Sequence, residues 1–385
     1  MQADEFVLEI PGMVGVPLST ARKPQAATKP WPAGTRIVSA DSHMLESDLW
    51  VERFPEHLKH EAPRMEFKDG GYQLTVGGKH MTPPHIAAGL CQAMECTPGL
   101  TDIKARLKDL DVEGVEKELI FPQRLFGLYM FGEMKNRAET FAAYNEHIGE
   151  VCVKSHGRLF AVMVPNYWDP KDAAESVARC KALGARCLMV PIKPGKDADG
   201  ETIHYNNPSL DPLWDAVSKS GIPLAFHIGE AIPTAAPGAA GTFVLTQMQG
   251  FRHNWAQLTF GGVFDRFPTL RVVFVEGGIA WVASMLHDAD MIYNSFPTAI
   301  NPKLAHAPSW YWFHHCYATF MTDPAGLELL HRIGSDRVMW SSDYPHQEST
   351  FGYTRSAIQA VFDATTLKKA QAILGKTALK VFAME

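Results

Sequence analysis

From Arg36 onward, short apolar runs alternate with longer amphipathic stretches, and the alternation recurs along the whole chain. The runs are residues 36–41, 117–121, 159–164, 185–190, 222–227, 270–275, 316–321 and 338–342. Between them, the spacing of apolar positions predicts helices such as 136–154, 170–183 and 211–220, the last two closed by Gly184 and Gly221 at C-cap positions. Strands that are apolar throughout and separated by helices are buried on both faces, which is the pattern of parallel pairing. A set of eight such units closes into a barrel. The chain is therefore expected to be an α/β protein with the (β/α)8 TIM-barrel fold. An open doubly wound sheet is disfavoured because no glycine-rich dinucleotide loop follows the first strand.

Two stretches break the repeat. Residues 44–101 form a long excursion between the first strand and its helix, with a hairpin expected over 72–80 around Gly77 and Gly78. Residues 296–315 form a second excursion rich in aromatics, read as a loop on the carboxyl-terminal face that caps a site or meets another subunit. Residues 1–35 are rich in Pro, Ala and Lys without periodicity and read as an arm draped over the body or over a partner subunit. The expected layout is thus an N-terminal arm (1–35) and one barrel (36–385), with 44–101 as an insertion or lid.

Composition narrows the function classes. With 385 residues, 46% hydrophobic and 20% charged, the chain can bury a large core. A formal net charge of -6 and the lack of any Lys/Arg block argue against a nucleic-acid partner. No apolar run approaches the ~20 residues that span a bilayer, and the amino terminus lacks the basic-then-apolar order of a secretory signal. A cytoplasmic protein with no membrane partner is expected. The six cysteines (Cys91, Cys96, Cys152, Cys180, Cys187 and Cys316) are scattered without CxxC spacing, which suits reduced packing thiols.

In a barrel the strand ends converge on one point, so ligands are sought where each apolar run stops. The first run ends in Asp41-Ser42-His43, whose two-residue separation puts both side chains on the same side of an extended strand. The fifth ends in His227 and the eighth in Asp343. Taken singly, an Asp there is as readily a helix cap and a His a hydrogen-bonded polar residue. Independent caps have no reason to fall together at the ends of strands one, five and eight, so the set predicts a metal centre of Asp41, His43, His227 and Asp343. Two imidazoles and two carboxylates suit zinc first, with manganese and iron as alternatives.

Six segments carry a resemblance to a known family: SADSHMLE (39–46), RLKDLDVEGVEKELIFP (106–122), YNEHIGEVC (144–152), PLWDAVSKSGIPLAFHIGE (212–230), GGVFDRFPTLRVVFVEGGIAWV (261–282) and RVMWSSDYPH (337–346). Over roughly residues 36–382 the chain resembles the amidohydrolase-related (family 2) branch of the amidohydrolase superfamily. That branch includes aminocarboxymuconate semialdehyde, γ-resorcylate and carboxyvanillate decarboxylases. The resemblance implies the same four positions as metal ligands. It also exposes a departure, because the branch places a His at the head of an H-G-G motif after the sixth strand, where this chain has Glu276 in VEGG. Glu276 is expected to act as a general base or to bind metal. One ion is favoured, and Glu276 with Glu46 provides for a second. Lys193, beyond a proline after the fourth strand, reads as a loop lysine able to meet an anionic substrate rather than as a carbamylated metal bridge.

Further pocket candidates are His253 as a relay, and His346, Arg124 and Glu46 as substrate contacts. Residues Tyr311, Trp312, Phe313, His314 and His315 read either as a cover over an aromatic substrate or as core. A metal with an open position activates water near neutral pH, so hydrolysis is the first expectation. The scissile bond would be an amide, ester, lactone, thioester or activated carbon–carbon bond of a small organic acid or aromatic compound, with Asp343 carrying the proton and Glu276 or a His relaying. The alternatives are non-oxidative decarboxylation of an aromatic or unsaturated carboxylic acid, and a non-catalytic barrel acting as a binding protein. The resemblance further implies a homodimer or higher homo-oligomer.

Overall fold

The computed structural model of the chain describes residues 23–385 apart from 27–28, 47–48, 69–70, 77–78, 81–96, 130–135, 231–236 and 248–250. Its strands in chain order are β1 (Val38–Ser39), β2 (His43–Met44), β3 (Arg64–Lys68), β4 (Gly71–Val76), β5 (Lys79–His80), β6 (Lys117–Pro122), β7 (Leu159–Met163), β8 (Cys187–Met189), β9 (Leu224–His227), β10 (Val272–Val275), β11 (Cys316–Phe320) and β12 (Val338–Trp340). Strands β1 and β6 to β12 follow one another in a single parallel sheet, with β2 also on β6. β1 and β2 are two halves of one strand, interrupted at 40–42.

Backbone hydrogen bonds join that interrupted strand to the last one. Ala40 N–H donates to Trp340 O at 3.2 Å, Asp343 N–H to Asp41 O at 3.0 Å, and His43 N–H to Tyr344 O at 2.7 Å. The barrel predicted from the periodicity is therefore present and closed at the seam where three of the four predicted ligands, Asp41, His43 and Asp343, sit. Its strands are buried along their length, as in β9 and β10, where every residue is covered. Helices cover the outside. In the helix Asp211–Ser220, Leu213, Trp214 and Val217 face inward and Gly221 ends the helix at φ 72°. Covering side chains of this size contributes about 1.5–3 kcal/mol each.

The hairpin expected over 72–80 is the second half of a larger unit. β4 pairs antiparallel with both β3 and β5, so the chain turns twice rather than once. The glycines at 77 and 78 lie outside the described residues, as do Cys91, Cys96 and residues 1–22 of the expected arm. Residues 31–35 pack on the C-terminal helices, where Trp31 stacks on Phe362 at 5.3 Å and Gln371 Nε2 donates to Ala33 O. The four described cysteines are free, and no described helix is long and apolar enough to cross a membrane.

One expectation is overturned. Residues 296–315 follow the helix Ala280–Ser295 and lead into the amino end of β11, so they lie at the bottom of the barrel and not on its carboxyl-terminal face. Tyr311 Oη donates to Asp265 at 2.5 Å, Trp312 Nε1 to Ile333 O at 2.8 Å, and His315 Nδ1 bonds Leu270 O at 2.8 Å. Tyr311, Trp312 and His315 are buried core there, and none of the five aromatics covers the ligand end.

A buried carboxyl ties the end of one helix to the start of another. Glu113 Oε1 accepts from Gly352 N–H at 2.7 Å and from Gln25 N–H, and Oε2 accepts from Thr354 Oγ at 2.5 Å. Burial outweighs these bonds and lifts its pKa from 4.5 to about 7. The folded state then binds the proton more tightly than the unfolded chain. Its contribution is complete below pH 4.5 and is lost as pH rises through about 7. Glu113→Gln keeps an acceptor for the two N–H groups, and its amide donates to Thr354 Oγ, whose own proton turns to Thr350 O. The loss of stability between pH 4.5 and 8 in urea unfolding is expected to shrink by about 1–3 kcal/mol in this variant. Identical pH slopes for the two proteins would contradict this account.

Candidate metal centre

Each predicted ligand stands at a carboxyl end of the sheet. Asp41 occupies the break between β1 and β2, His43 opens β2, and His227 is the last residue of β9. Glu276 is one residue past β10, and Asp343 is three past β12, which stops at Trp340, earlier than the apolar run suggests. Among the described residues, four that are not glycine have positive φ, and two of these are Glu276 (φ 72°) and Asp343 (φ 55°). Left-handed backbone at a glutamate is held against a local cost of about 1–3 kcal/mol, and such strain concentrates where a side chain must be aimed. Behind Glu276, a Cβ on Gly277 would collide with the Phe251 ring, so the chain there has no room to relax.

The donor atoms converge. Ligand atoms of Asp41, His43, His227 and Glu276 all lie within 4.8 Å of one another, as do those of His43, Glu276, Asp343 and His346. His227 Nε2 is 3.2 Å from Asp41 Oδ1 and 3.5 Å from Glu276 Oε2. His43 Nε2 is 3.5 Å from Asp41 Oδ1 and 3.2 Å from Asp343 Oδ1. His346 Nδ1 lies 2.9 Å from Oδ1 and 3.0 Å from Oδ2 of Asp343, aligned as a hydrogen bond to Oδ2, and 3.8 Å from Glu276 Oε1. Its other nitrogen meets Gln123 Oε1 at 2.6 Å, and its ring stacks on His43 at 4.1 Å.

The imidazoles of His43 and His227 are each oriented by a backbone carbonyl at Nδ1. His43 Nδ1 faces Pro122 O at 2.8 Å and His227 Nδ1 faces Ile228 O at 2.7 Å. A carbonyl accepts only, so Nδ1 carries a proton in both rings and Nε2 is the nitrogen turned to the carboxyls, the atom that would bind a cation. Three buried carboxyls crowd the same space. Burial, and then repulsion from Asp343, raises Glu276 above the usual carboxylate range; burial, with Asp41 close by, raises Asp343 likewise. Burial and the nearby His346 hold His43 well below an ordinary histidine. For His227, burial works against the charge, but Asp41 and Glu276 more than offset it and push its pKa up to about 9.

Asp41 Oδ2, His43 Nε2 and Asp343 Oδ1 are buried and have no hydrogen-bond partner. Three buried carboxyls this close, two of them with an oxygen that has no hydrogen-bond partner, are unfavourable for the protein alone, and a cation at their centre would resolve the repulsion. The donor set fits a divalent metal. Asp41, His43, His227, Asp343 and Glu276 are thus brought together as the sequence predicts, and His346 joins them.

Other candidates are placed differently. Glu46 is buried, but its carboxylate accepts from the backbone N–H groups of Gln123, Arg124 and Leu125, at 2.6 Å from Arg124 N. It anchors the turn after β6 and opens the helix Leu125–Tyr129, leaving neither oxygen for a second ion or a substrate. Arg124 is half-buried in that same turn. His253 is exposed on the helix Phe251–Phe260, which turns Phe251, Asn254, Trp255 and Leu258 inward. The 100° step of a helix carries position 253 off that buried face, so the relay role expected for it is withdrawn. Lys193 is exposed, and its N–H donates to Glu230, a buried carboxyl that also accepts from Ile192 N–H. Burial chiefly lifts Glu230 to about 7.

Sequence reading does not find Gln123, Glu230, or the rings of Phe121 and Phe126, which lie 4.7 Å and 4.6 Å from that of His227. A signal for Gln123 exists, since it follows an apolar strand directly and so stands at the ligand end.

A family model described as Amidohydrolase matches residues 73–384. The γ-resorcylate decarboxylase of Rhizobium radiobacter is 24% identical over 290 residues, covering 72% of this chain and 86% of that protein. Among solved structures, an amidohydrolase from Mycobacterium avium subsp. paratuberculosis K-10 superposes with TM-score 0.72 at 19% identity, covering 91% of this chain and 98% of that one. A dihydroxybenzoic acid decarboxylase from Polaromonas sp. JS666, with bound manganese and the inhibitor 2-nitroresorcinol, gives 0.63 at 17% identity over 91% and 97%.

Proposed function

This chain belongs to the Amidohydro_2 family of amidohydrolases, and from that premise we propose that it is a metal-dependent, non-oxidative decarboxylase of an aromatic carboxylic acid with a hydroxyl beside the carboxylate. The observation that carries the reading is His346, an imidazole held between Asp343, Glu276 and Gln123 at the edge of a cage of carboxylates and imidazoles. A carboxylate on one ring nitrogen and an amide oxygen on the other call for a proton on both, so a mobile proton is stored beside the cation site. The similarity to a γ-resorcylate decarboxylase over most of both chains supports the same chemistry.

Asp41, His43 and His227, with Asp343, would hold the ion. When bound, a divalent cation supplies a positive centre that neutralises and orients a carboxylate and its neighbouring hydroxyl oxygen. Asp343 and His346 share the proton that replaces the departing carboxyl group. The carbon–carbon bond breaks, CO2 leaves, and the ring carbon takes that proton. Phe121 and Phe126 cover one side of His227 and exclude water from it. Manganese is the ion we favour, because the donor set is rich in carboxylates and the Polaromonas decarboxylase binds it. The zinc expected from the sequence fits the two imidazoles equally well.

Hydrolysis is the second reading, and Glu276 favours it: a buried carboxyl 3.5 Å from His227 can accept a proton from water. Incubating the manganese-loaded protein with ortho-hydroxybenzoates in D2O and, separately, with ortho-hydroxybenzoate esters in ¹⁸O-labelled water separates the two. We expect CO2 release, one deuterium at the vacated ring carbon and no ¹⁸O in the aromatic product. A product that carries ¹⁸O without CO2 release would replace decarboxylation by hydrolysis.

A further inference from the structure

A buried ion pair lies directly behind the ligand strands. Arg106, on the inward face of the helix Ile103–Glu113, and Glu118, in β6, are fully buried. Arg106 Nε donates to Glu118 Oε2 at 2.8 Å, and its Nη1 donates to the carbonyl of His43 at 2.6 Å. The guanidinium also lies 4.6 Å from the centre of the Tyr344 ring, and Tyr344 Oη donates to Asp109. The other oxygen of Glu118 accepts from Ser342 Oγ at 3.2 Å. Ser342 N–H donates to Ser39 Oγ at 2.8 Å, and Ser39 Oγ donates to the carbonyl of Asp41 at 2.6 Å.

The chain of bonds therefore runs from the His43 backbone through Arg106, Glu118, Ser342 and Ser39 to the Asp41 backbone, and Ser342 immediately precedes Asp343. It touches neither a donor atom nor any space where a substrate would lie. Buried ion pairs contribute little net stability, because desolvation of both charges offsets their attraction, and apolar replacements are often as stable. Stability alone thus gives a weak account of this one. Its position gives a better account: Asp41 lies in the strand break at 40–42 and Asp343 beyond the end of its strand on left-handed backbone, so regular strand pairing fails at both, and His43 is the first residue after the break.

We infer that Arg106, Glu118, Ser342 and Ser39 form a positioning network that sets the spacing of Asp41, His43 and Asp343 for the metal. The inference rests on those three residues being ligands. Partners behind metal ligands typically change metal affinity ten- to hundred-fold when removed. Calorimetric titration of Mn²⁺ into the metal-stripped full chain is expected to show a Kd weakened roughly tenfold or more in Ser39→Ala, Ser342→Ala and Glu118→Gln. Trp312→Phe, at the bottom of the barrel, lowers the Tm without touching the network and is expected to keep the wild-type Kd. If Glu118→Gln does not fold, the two serine variants decide, since they leave no buried charge unpaired. Wild-type affinity in both serine variants overturns the inference, as does an equal weakening in Trp312→Phe, which would make the effect one of stability alone. A wild-type protein that takes up no Mn²⁺ overturns the metal reading together with this one, whereas uptake with unshifted serine variants overturns only the network.

Discussion

His227→Ala is expected to leave a folded barrel that retains only traces of metal and turns over at least ~10³-fold more slowly, since a metal supplies several kcal/mol of transition-state stabilisation. The imidazole stands between Asp41 and Glu276, 3.2 Å and 3.5 Å from their oxygens. Without it, two buried carboxyls face each other across a gap, and the ion loses its link to the opposite side of the barrel from β2. The rings of Phe121 and Phe126 lose their contact with the imidazole, so some stability is lost as well. Elemental analysis of the purified variant, beside a circular dichroism spectrum showing that it is folded, makes the measurement. Metal content equal to that of the wild type would mean that the centre lies elsewhere.

His227, Asp41, His43 and Asp343 are legible in the sequence because a parallel barrel converts a one-dimensional feature, the end of an apolar run, into a position in space. The same rule places Glu276, although its side chain reaches the cage through a left-handed backbone that no periodicity announces. The rule does not say what each side chain binds. Glu46, read from the sequence as a substrate contact or second-ion ligand, and Glu230, which that reading passes over, both stand near strand ends, yet each is occupied by backbone N–H groups from the next turn. A carboxylate saturated by amides and one left for a metal look alike in sequence.

His253 and the aromatic segment 296–315 fail for different reasons. His253 is close in sequence to the buried face of its helix but one step of rotation away from it. For 296–315 the strand order was legible, and the error lies in which end of β11 the segment meets. A connection from helix to strand belongs at the amino ends, so Tyr311, Trp312 and His315 are core. Arg106 carried a signal of its own: it shares an inward face with Leu110 and Glu113, where a charge requires a partner. The identity of that partner, Glu118, depends on how the helix packs against β6 and is not written in either segment.

Asp343→Asn at saturating manganese is expected to lower kcat by about 10²- to 10⁴-fold while the protein still binds metal, the range for loss of a positioned proton carrier. Asparagine tolerates the left-handed backbone of this position better than most residues, and the N–H bond to Asp41 O is independent of the side chain. The substitution therefore removes charge with little change of shape. If the amide oxygen turns to His346, its NH2 faces His43 Nε2, 3.2 Å from the present oxygen, and competes for the lone pair meant for the ion. His346 loses its carboxylate and keeps only Gln123 and the more distant Glu276, so the stored proton is held less firmly. Glu276→Gln serves as the counterpart. In the decarboxylation reading Asp343→Asn is the more damaging of the two, because Asp343 and His346 deliver the proton. In the hydrolysis reading Glu276 takes a proton from water, and the order reverses. Kinetics of the two variants side by side, with deuterium incorporation into product as the second measurement, rank them; a kcat for Asp343→Asn within tenfold of the wild type would remove Asp343 from the proton path.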